Sequence, residues 1–312
     1  IYDELIKRST RFLLGDSKEK RLLPVLYMID DIEKWNDINE LRKSIPNLGV
    51  SVSVDYMLEE IAVAEGSLSK KTEFITKYCN LKQNSSLAWL PAKVVENAAA
   101  DLNIEDFRDS YCVGGIDLSQ TTDLTACCAV IEKNDQLYCF TKFFMPAEKI
   151  DEATARDGIP YQAFISKGIV QPSGENYVDY HDCYDWFKNL VEQYQILPLR
   201  VGYDRYSAQY LVQDMRAYGF VMDDVYQGEN LYSTIQECQG LLESEKLHFD
   251  NDLLKIHLLD SAIKMSVERG RGKLVKVRPM AHIDGAAALL DALVMRMKYH
   301  NEIGEQLKNR GD

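Results

Sequence analysis

Three aspartates in this chain, Asp117, Asp204 and Asp284, stand where a sheet would bring carboxylates together, and a fourth, Asp291, shares a helix with the last of them. Asp117 ends the run Tyr111-Cys-Val-Gly-Gly-Ile-Asp117, and a carboxylate among apolar strand residues is costly unless something pairs with it. Asp204 closes Leu199-Arg-Val-Gly-Tyr-Asp204, so it emerges at the carboxyl end of a strand, where open α/β sheets keep their sites. Asp284 opens the helical run His282-Ile-Asp-Gly-Ala-Ala-Ala-Leu-Leu-Asp291, and Asp291 recurs seven residues later on the same helix face. Oxygen donors of this kind suit Mg²⁺ or Mn²⁺, whereas no His or Cys spacing here suits zinc. Two such ions, about 4 Å apart, would activate a water and stabilise the leaving oxygen of a phosphodiester. Each acid also has a plainer explanation. Asp117 fits an Asx turn into Ser119–Asp123, Asp204 a strand-ending turn, Asp284 a helix N-cap, and Asp291 a salt-bridged surface position.

The elements that must position these acids follow from the hydrophobic pattern. Residues 111–117, 126–131 and 136–144 read as three strands on short turns, hence an antiparallel meander, with Lys133-Asn-Asp135 as a hairpin turn. Gly114-Gly115 would let another backbone, or a nucleic-acid strand, come close. After a long loop holding Pro146, Pro160 and Gly168, a helix is expected over 181–195, with apolar residues 183, 186, 187, 190 and 191 on one face. The strand ending at Asp204 follows, then a helix over 208–218 capped by Ser207 and stopped by Gly219, then a strand over 220–227. Helices near 234–245 and 252–265 precede a basic hairpin, and a last helix runs from about 283 to 300. Three antiparallel strands followed by α-β-α-β units predict an α/β fold: a mixed five-stranded sheet with helices on both faces, in the ribonuclease H-like arrangement.

Residues 1–110 read differently. They are mostly helical, with one strand over Leu22–Ile29, a helix carrying Trp35, helices over 51–64 and 70–82, and a turn into a short helix after Trp89. A polar linker over 101–109 places a domain boundary near 110.

Composition bounds the partners. A chain of 312 residues with 46% hydrophobic and 10% aromatic residues can bury a sizeable core. Its seven cysteines lack CxxC spacing and lie mostly in apolar runs, so they are expected reduced and buried, in a cytosolic setting. There is no signal-peptide pattern and no bilayer-length apolar run, and Ile1 in place of Met is read as a fragment or a processed chain. A net charge of −13 argues against coating nucleic acid over the whole surface. It leaves room for a local strip: Arg269, Arg271, Lys273, Lys276 and Arg278 place five cations and no acid in ten residues, a segment equally legible as a solvated hairpin.

Taken together, Gly115-Ile-Asp-Leu-Ser with Asp123-Leu-Thr-Ala, Phe144-Met-Pro146, Ile159-Pro-Tyr161, Tyr203-Asp204, Lys276-Val-Arg-Pro and His282-Ile-Asp-Gly285 resemble, in order, the large terminase subunit of tailed phages. That family packages DNA into procapsids and cuts the concatemer. The resemblance implies that Asp117, Asp204 and Asp284 are the catalytic, metal-binding acids of a nuclease using two Mg²⁺ or Mn²⁺ ions, with Asp123 and Asp291 accessory. It implies that portal protein and small terminase subunit are partners of the full-length family and that the work is done in the bacterial host's cytoplasm, with no membrane; the 269–278 hairpin, basic in an acidic chain, is expected to hold the double-stranded DNA. Residues 111–312 would be the nuclease domain. Residues 1–110 would be the rear of the packaging ATPase plus its linker, although no GxxxxGK[ST] loop occurs in the chain. A Holliday-junction resolvase of the same fold and a catalytically silent docking module are the rival expectations.

Overall fold

The structure is a computed structural model that describes residues 2–13, 15, 19–65, 68–81, 87–118, 124–204, 209–266, 271–278 and 280–308. It divides into two compact units, residues 1–87 and 88–312. The first is helical: α1 (Tyr2–Leu13), α2 (Ile38–Ser44), α3 (Val54–Glu65) and α4 (Leu68–Tyr78). Asp37 caps α2 by accepting the Asn39 N–H at 2.8 Å. Leu41, Met57, Ile61, Phe74 and Trp35 share its core, where Trp35 meets the edge of Phe74. Two expectations change here. Trp35 follows a short 3₁₀ turn, Ile32–Lys34, rather than sitting in a helix. Leu22–Ile29 alternates in exposure as a strand does, yet pairs with no strand among the described residues.

A two-residue strand, β1 (Leu87–Ala88), marks the division. The compact boundary falls there and not near 110, because Trp89, Leu90, Val95 and Ala98, the last two on α5 (Ala92–Ala98), and Phe107 are buried in cores of the second unit. The expected meander follows as β2 (Tyr111–Asp117), β3 (Thr125–Lys133) and β4 (Gln136–Pro146), paired antiparallel. Then come α6 (Ile150–Asp157), α7 (Tyr161–Ser166), β5 (Val170–Ser173), α8 (His181–Tyr194), β6 (Leu197–Asp204), α9 (Gln209–Tyr218) and β7 (Met222–Val225). The chain continues through α10 (Tyr232–Glu243), β8 (Leu247–Phe249), α11 (Asp252–Leu259), β9 (Ser261–Met265), β10 (Gly272–Lys276), α12 (Asp284–Lys298) and α13 (His300–Lys308).

The central order is β4-β3-β2-β6-β7, with β6 parallel to β2 and β7 parallel to β6, which is the five-stranded mixed sheet expected. Two short strands extend it at the β4 edge. β5 pairs with Phe143–Pro146 and β8 with Leu137–Cys139, both parallel to β4. Neither is long enough to show a period in sequence. The helix expected over 252–265 ends at Leu259; Ser261–Met265 instead pairs antiparallel with Gly272–Lys276, so the basic hairpin has β9 as its first arm.

Strand alternation sorts side chains onto two cores. Cys112, Ile116 and Val201 join α8 and α9 on one face, while Val113, Ala126 and Cys128 join α10, α11 and α12 on the other. By the same period of two, Asp117 and Asp204 fall on the α12 face. α12 lies close there because the sheet offers no Cβ beneath it. A Cβ on Gly115 would stand 2.0 Å from the Ala288 carbonyl oxygen, and one on Gly202 would stand 2.7 Å from that of Asp291. The backbone admitted by the Gly114-Gly115 pair is therefore α12, with Phe187 of α8 against Gly114 on the reverse face.

Candidate active site

β2 and β6 run parallel and in step, with Ile116 opposite Tyr203, so the next residue in each, Asp117 and Asp204, ends its strand at the same edge of the sheet. α12 brings two more acids over that edge. Asp284 is 8% exposed and Asp291 is fully buried. The surface explanation for Asp291 is thus overturned, since small residues on α12 press this face of the helix onto the sheet. The N-cap explanation for Asp284 is overturned too. The cap is Ile283, whose side chain bonds nothing, and the Gly285 N–H is taken instead by Nδ1 of His257 at 2.9 Å.

Gln227, two residues beyond β7, ties the group together. Its amide donates to Asp291 Oδ2 at 3.0 Å and to Asp117 Oδ1 at 3.4 Å. Burial raises the Asp117 carboxyl well above the usual carboxylate range, and the charges of Asp284 and Asp204 raise it further against the pull of Gln227 and Lys276. Burial likewise raises Asp291, with Asp117 adding to it. Asp284 behaves oppositely. Burial pushes it up, but the neighbouring His282 and His257 hold it below its ordinary value. His257 itself is driven down to about 4 by burial, which agrees with its Nδ1 acting as an acceptor.

One oxygen each of Asp204, Asp284 and Asp291 is buried with no hydrogen-bond partner. Buried carboxylate oxygens are ordinarily satisfied. Acid-only oxygen donors left open in this way fit a hard divalent cation. The carboxylates do not close around a point: among the described residues no three His, Cys, Asp or Glu side chains stand at metal-ligand spacing.

Of the other expected residues, Asp123 and Arg269 lie outside the described residues. Arg271 and Lys273 are exposed on the hairpin, and Arg278 is exposed with its guanidinium 3.6 Å from Asp260. Lys276 is half-buried on the inner side, and its charge draws the Asp117 carboxyl down. Lys264 stands directly opposite Lys273 and adds a cation that a helical reading of 252–265 conceals. Gln227, His257, His282 and Asp157 were not anticipated as site residues; only His282 lay in a quoted motif, and nothing local marks the others.

A β4-β3-β2-β6-β7 mixed sheet with helices on both faces is a ribonuclease H-like α/β fold, and here it carries acids at the ends of its two central parallel strands and on the helix across them. The chain belongs to the terminase large subunit family: its endonuclease domain matches residues 23–301. The chain is 22% identical over 308 residues to Protein YmfN of Escherichia coli strain K12, covering 93% of this chain and 66% of that protein. It is also 22% identical over 302 residues to the terminase large subunit of Lactococcus phage p2, covering 95% of this chain and 55% of that one. The crystal structure of the HK97 bacteriophage large terminase shares the fold, with a TM-score of 0.59 and 20% identity over 92% of this chain and 60% of that chain. The chain thus spans between about half and two thirds of the length of these relatives.

Proposed function

We propose that this chain is a divalent-metal-dependent endonuclease that cuts double-stranded, concatemeric viral DNA during genome packaging. The observation that carries the reading is the set of buried, unpartnered oxygens on Asp204, Asp284 and Asp291 beside Asp117. Asp117, Asp204 and Asp284 would hold two Mg²⁺ or Mn²⁺ ions, with Asp291 accessory through the shared Gln227 amide. When bound, such ions supply a nucleophilic water and offset the charge that develops on the phosphodiester. The chain's own residues fix the acids on rigid elements, exclude water beneath α12 and, through Arg271, Lys273 and Lys276, lay the DNA backbone against the sheet edge.

The full-length protein would work with a portal protein and a small terminase subunit in the host cytoplasm. Residues 111–312 are read as the nuclease domain. Residues 1–87, with a helical core of their own, are read as the rear of a packaging ATPase, and 88–110 as its linker, packed into the cores of the second unit. No helix among the described residues is long and apolar enough to cross a membrane.

The test is plasmid cleavage. Purified chain should nick and linearise supercoiled DNA with Mg²⁺ or Mn²⁺ and stop in EDTA, and Asp117→Asn should lower the rate by ~100-fold or more, as expected for losing a charge the reaction depends on. Undiminished cleavage by folded Asp117→Asn protein would sink the assignment.

A further inference from the structure

Behind Asp284 lies a second charged group that the reaction itself has no use for. α6 ends at Asp157, Gly158 turns the chain in the left-handed conformation, and α7 begins three residues later at Tyr161. This elbow contains the Ile159-Pro-Tyr161 motif, and its contacts account for the tyrosine: the Tyr161 hydroxyl donates to Asp157 Oδ2 at 3.1 Å. The same oxygen takes Arg156 Nη2 at 3.0 Å and His282 Nε2 at 2.9 Å, while Oδ1 takes Arg156 Nε at 2.6 Å. Arg156, Tyr161 and His282 thus engage both oxygens of Asp157.

Its contact with His282 does reach the site. The two side chains are 1% and 3% exposed, and they join segments 125 residues apart in the chain. The other ring nitrogen of His282, Nδ1, stands 3.5 Å from Asp284 Oδ2. On the far side of His282 the ring of His257 lies nearly parallel, at 6.1 Å between centroids, and its Nδ1 takes the Gly285 N–H. One histidine therefore holds the backbone of the first turn of α12, and the other abuts its carboxylate. Buried charged groups add little net stability over apolar packing of the same volume. Stability alone gives no reason for an aspartate, an imidazole and a tyrosine hydroxyl to converge here.

We propose that Asp157 is a positioning residue: acting through His282, it fixes the Asp284 carboxylate in the orientation that binds a divalent cation. The proposal rests on the metallonuclease reading above and deepens it. Arg156 and Tyr161 fix the Asp157 carboxylate, its bond to Nε2 locks the His282 ring, and the locked ring, with Nδ1 3.5 Å from Asp284 Oδ2, limits the rotation of Asp284. Supporting groups of this kind characteristically tune the metal affinity of the ligand that they orient.

The experiment is Mn²⁺ titration calorimetry on the 312-residue chain, with folding checked by melting in EDTA. Asp157→Asn and His282→Asn should each weaken Mn²⁺ binding by about 10-fold or more. The double variant should bind no more weakly than the weaker single, because one residue acts through the other. A purely structural role would lower the melting temperature and leave the affinity of the folded fraction unchanged. If both singles fail to fold, Tyr161→Phe removes only the hydroxyl and should weaken binding in the same direction by a smaller amount. Wild-type Mn²⁺ affinity in folded Asp157→Asn, or in Tyr161→Phe when it is the variant available, overturns the proposal, as do additive losses in the double variant. Wild-type chain that takes up no Mn²⁺ overturns the metallonuclease reading itself, so the two failures are distinguishable.

Discussion

Asp117 and Asp291 share one Gln227 amide and little else, and both carboxyls are held above their ordinary range chiefly by burial. The sign of the stability effect follows. A carboxyl whose folded value is raised contributes stability below its unfolded value, and that contribution is lost as pH rises through the raised folded value. Metal-free protein should therefore lose stability as pH climbs from the ordinary carboxylate range through the raised values of these two groups, with divalent cation restoring it. Replacing Asp291 with Asn keeps an acceptor for Gln227 and removes a buried like charge. Its melting temperature in EDTA at neutral pH should rise, by about 2–4 °C for each kcal/mol of relief in a domain of this size, and its pH dependence should flatten. Differential scanning calorimetry across pH checks both. An Asp291→Asn protein that melts lower than wild type in EDTA at neutral pH would show that the charge is not the burden described.

At the scale of elements, the site depends on how near α12 comes to the sheet. Gly115 lets it in, and Gly115→Ala would drive a methyl into the Ala288 carbonyl and the Ala292 amide, at 2.0 and 2.5 Å. Since neither backbone group can swing aside, the substitution should cost about 3 kcal/mol or more in urea unfolding, toward the upper end for overpacked cores. A loss under 1 kcal/mol would mean that α12 shifts freely and that its acids are not rigidly placed. The strands around this contact were legible in the sequence because β2, β3, β4 and β6 each carry a long apolar run, and α8 and α12 show an amphipathic or small-residue face. β5 and β8, with four and three residues, are too short to show a period. β9 shares an apolar run with α11 and reads as its continuation. Asp117, Asp204 and Asp284 were legible as acids at element ends. Gln227, Asp157 and His257 were not, because each matters only through a contact made across the fold, and an isolated Gln, Asp or His carries no local mark of it.

For the whole molecule the question is how a chain with net charge −13 would hold the polyanion that the proposed function requires. The β9-β10 hairpin answers it by keeping its two faces distinct. Ile263 and Leu274 pack against the main core, whereas Lys264 and Lys273 stand directly opposite one another and exposed on the other face. Like charges directly opposite on a sheet are destabilising. On the proposed function, a phosphate backbone passing over the hairpin would supply an anion that both side chains could face. Each cation that contacts a phosphate contributes about 0.9 to the slope of log K against log salt on duplex DNA. Arg271→Gln with Lys273→Gln should lower that slope by roughly 1.8, and adding Lys264→Gln should lower it by roughly 2.7 in all. Binding should weaken equally for unrelated sequences, since phosphate contacts carry no base information. Fluorescence anisotropy of a short labelled duplex in EDTA, titrated with salt, separates this from cleavage. A slope unchanged in the triple variant would move the DNA path off the hairpin.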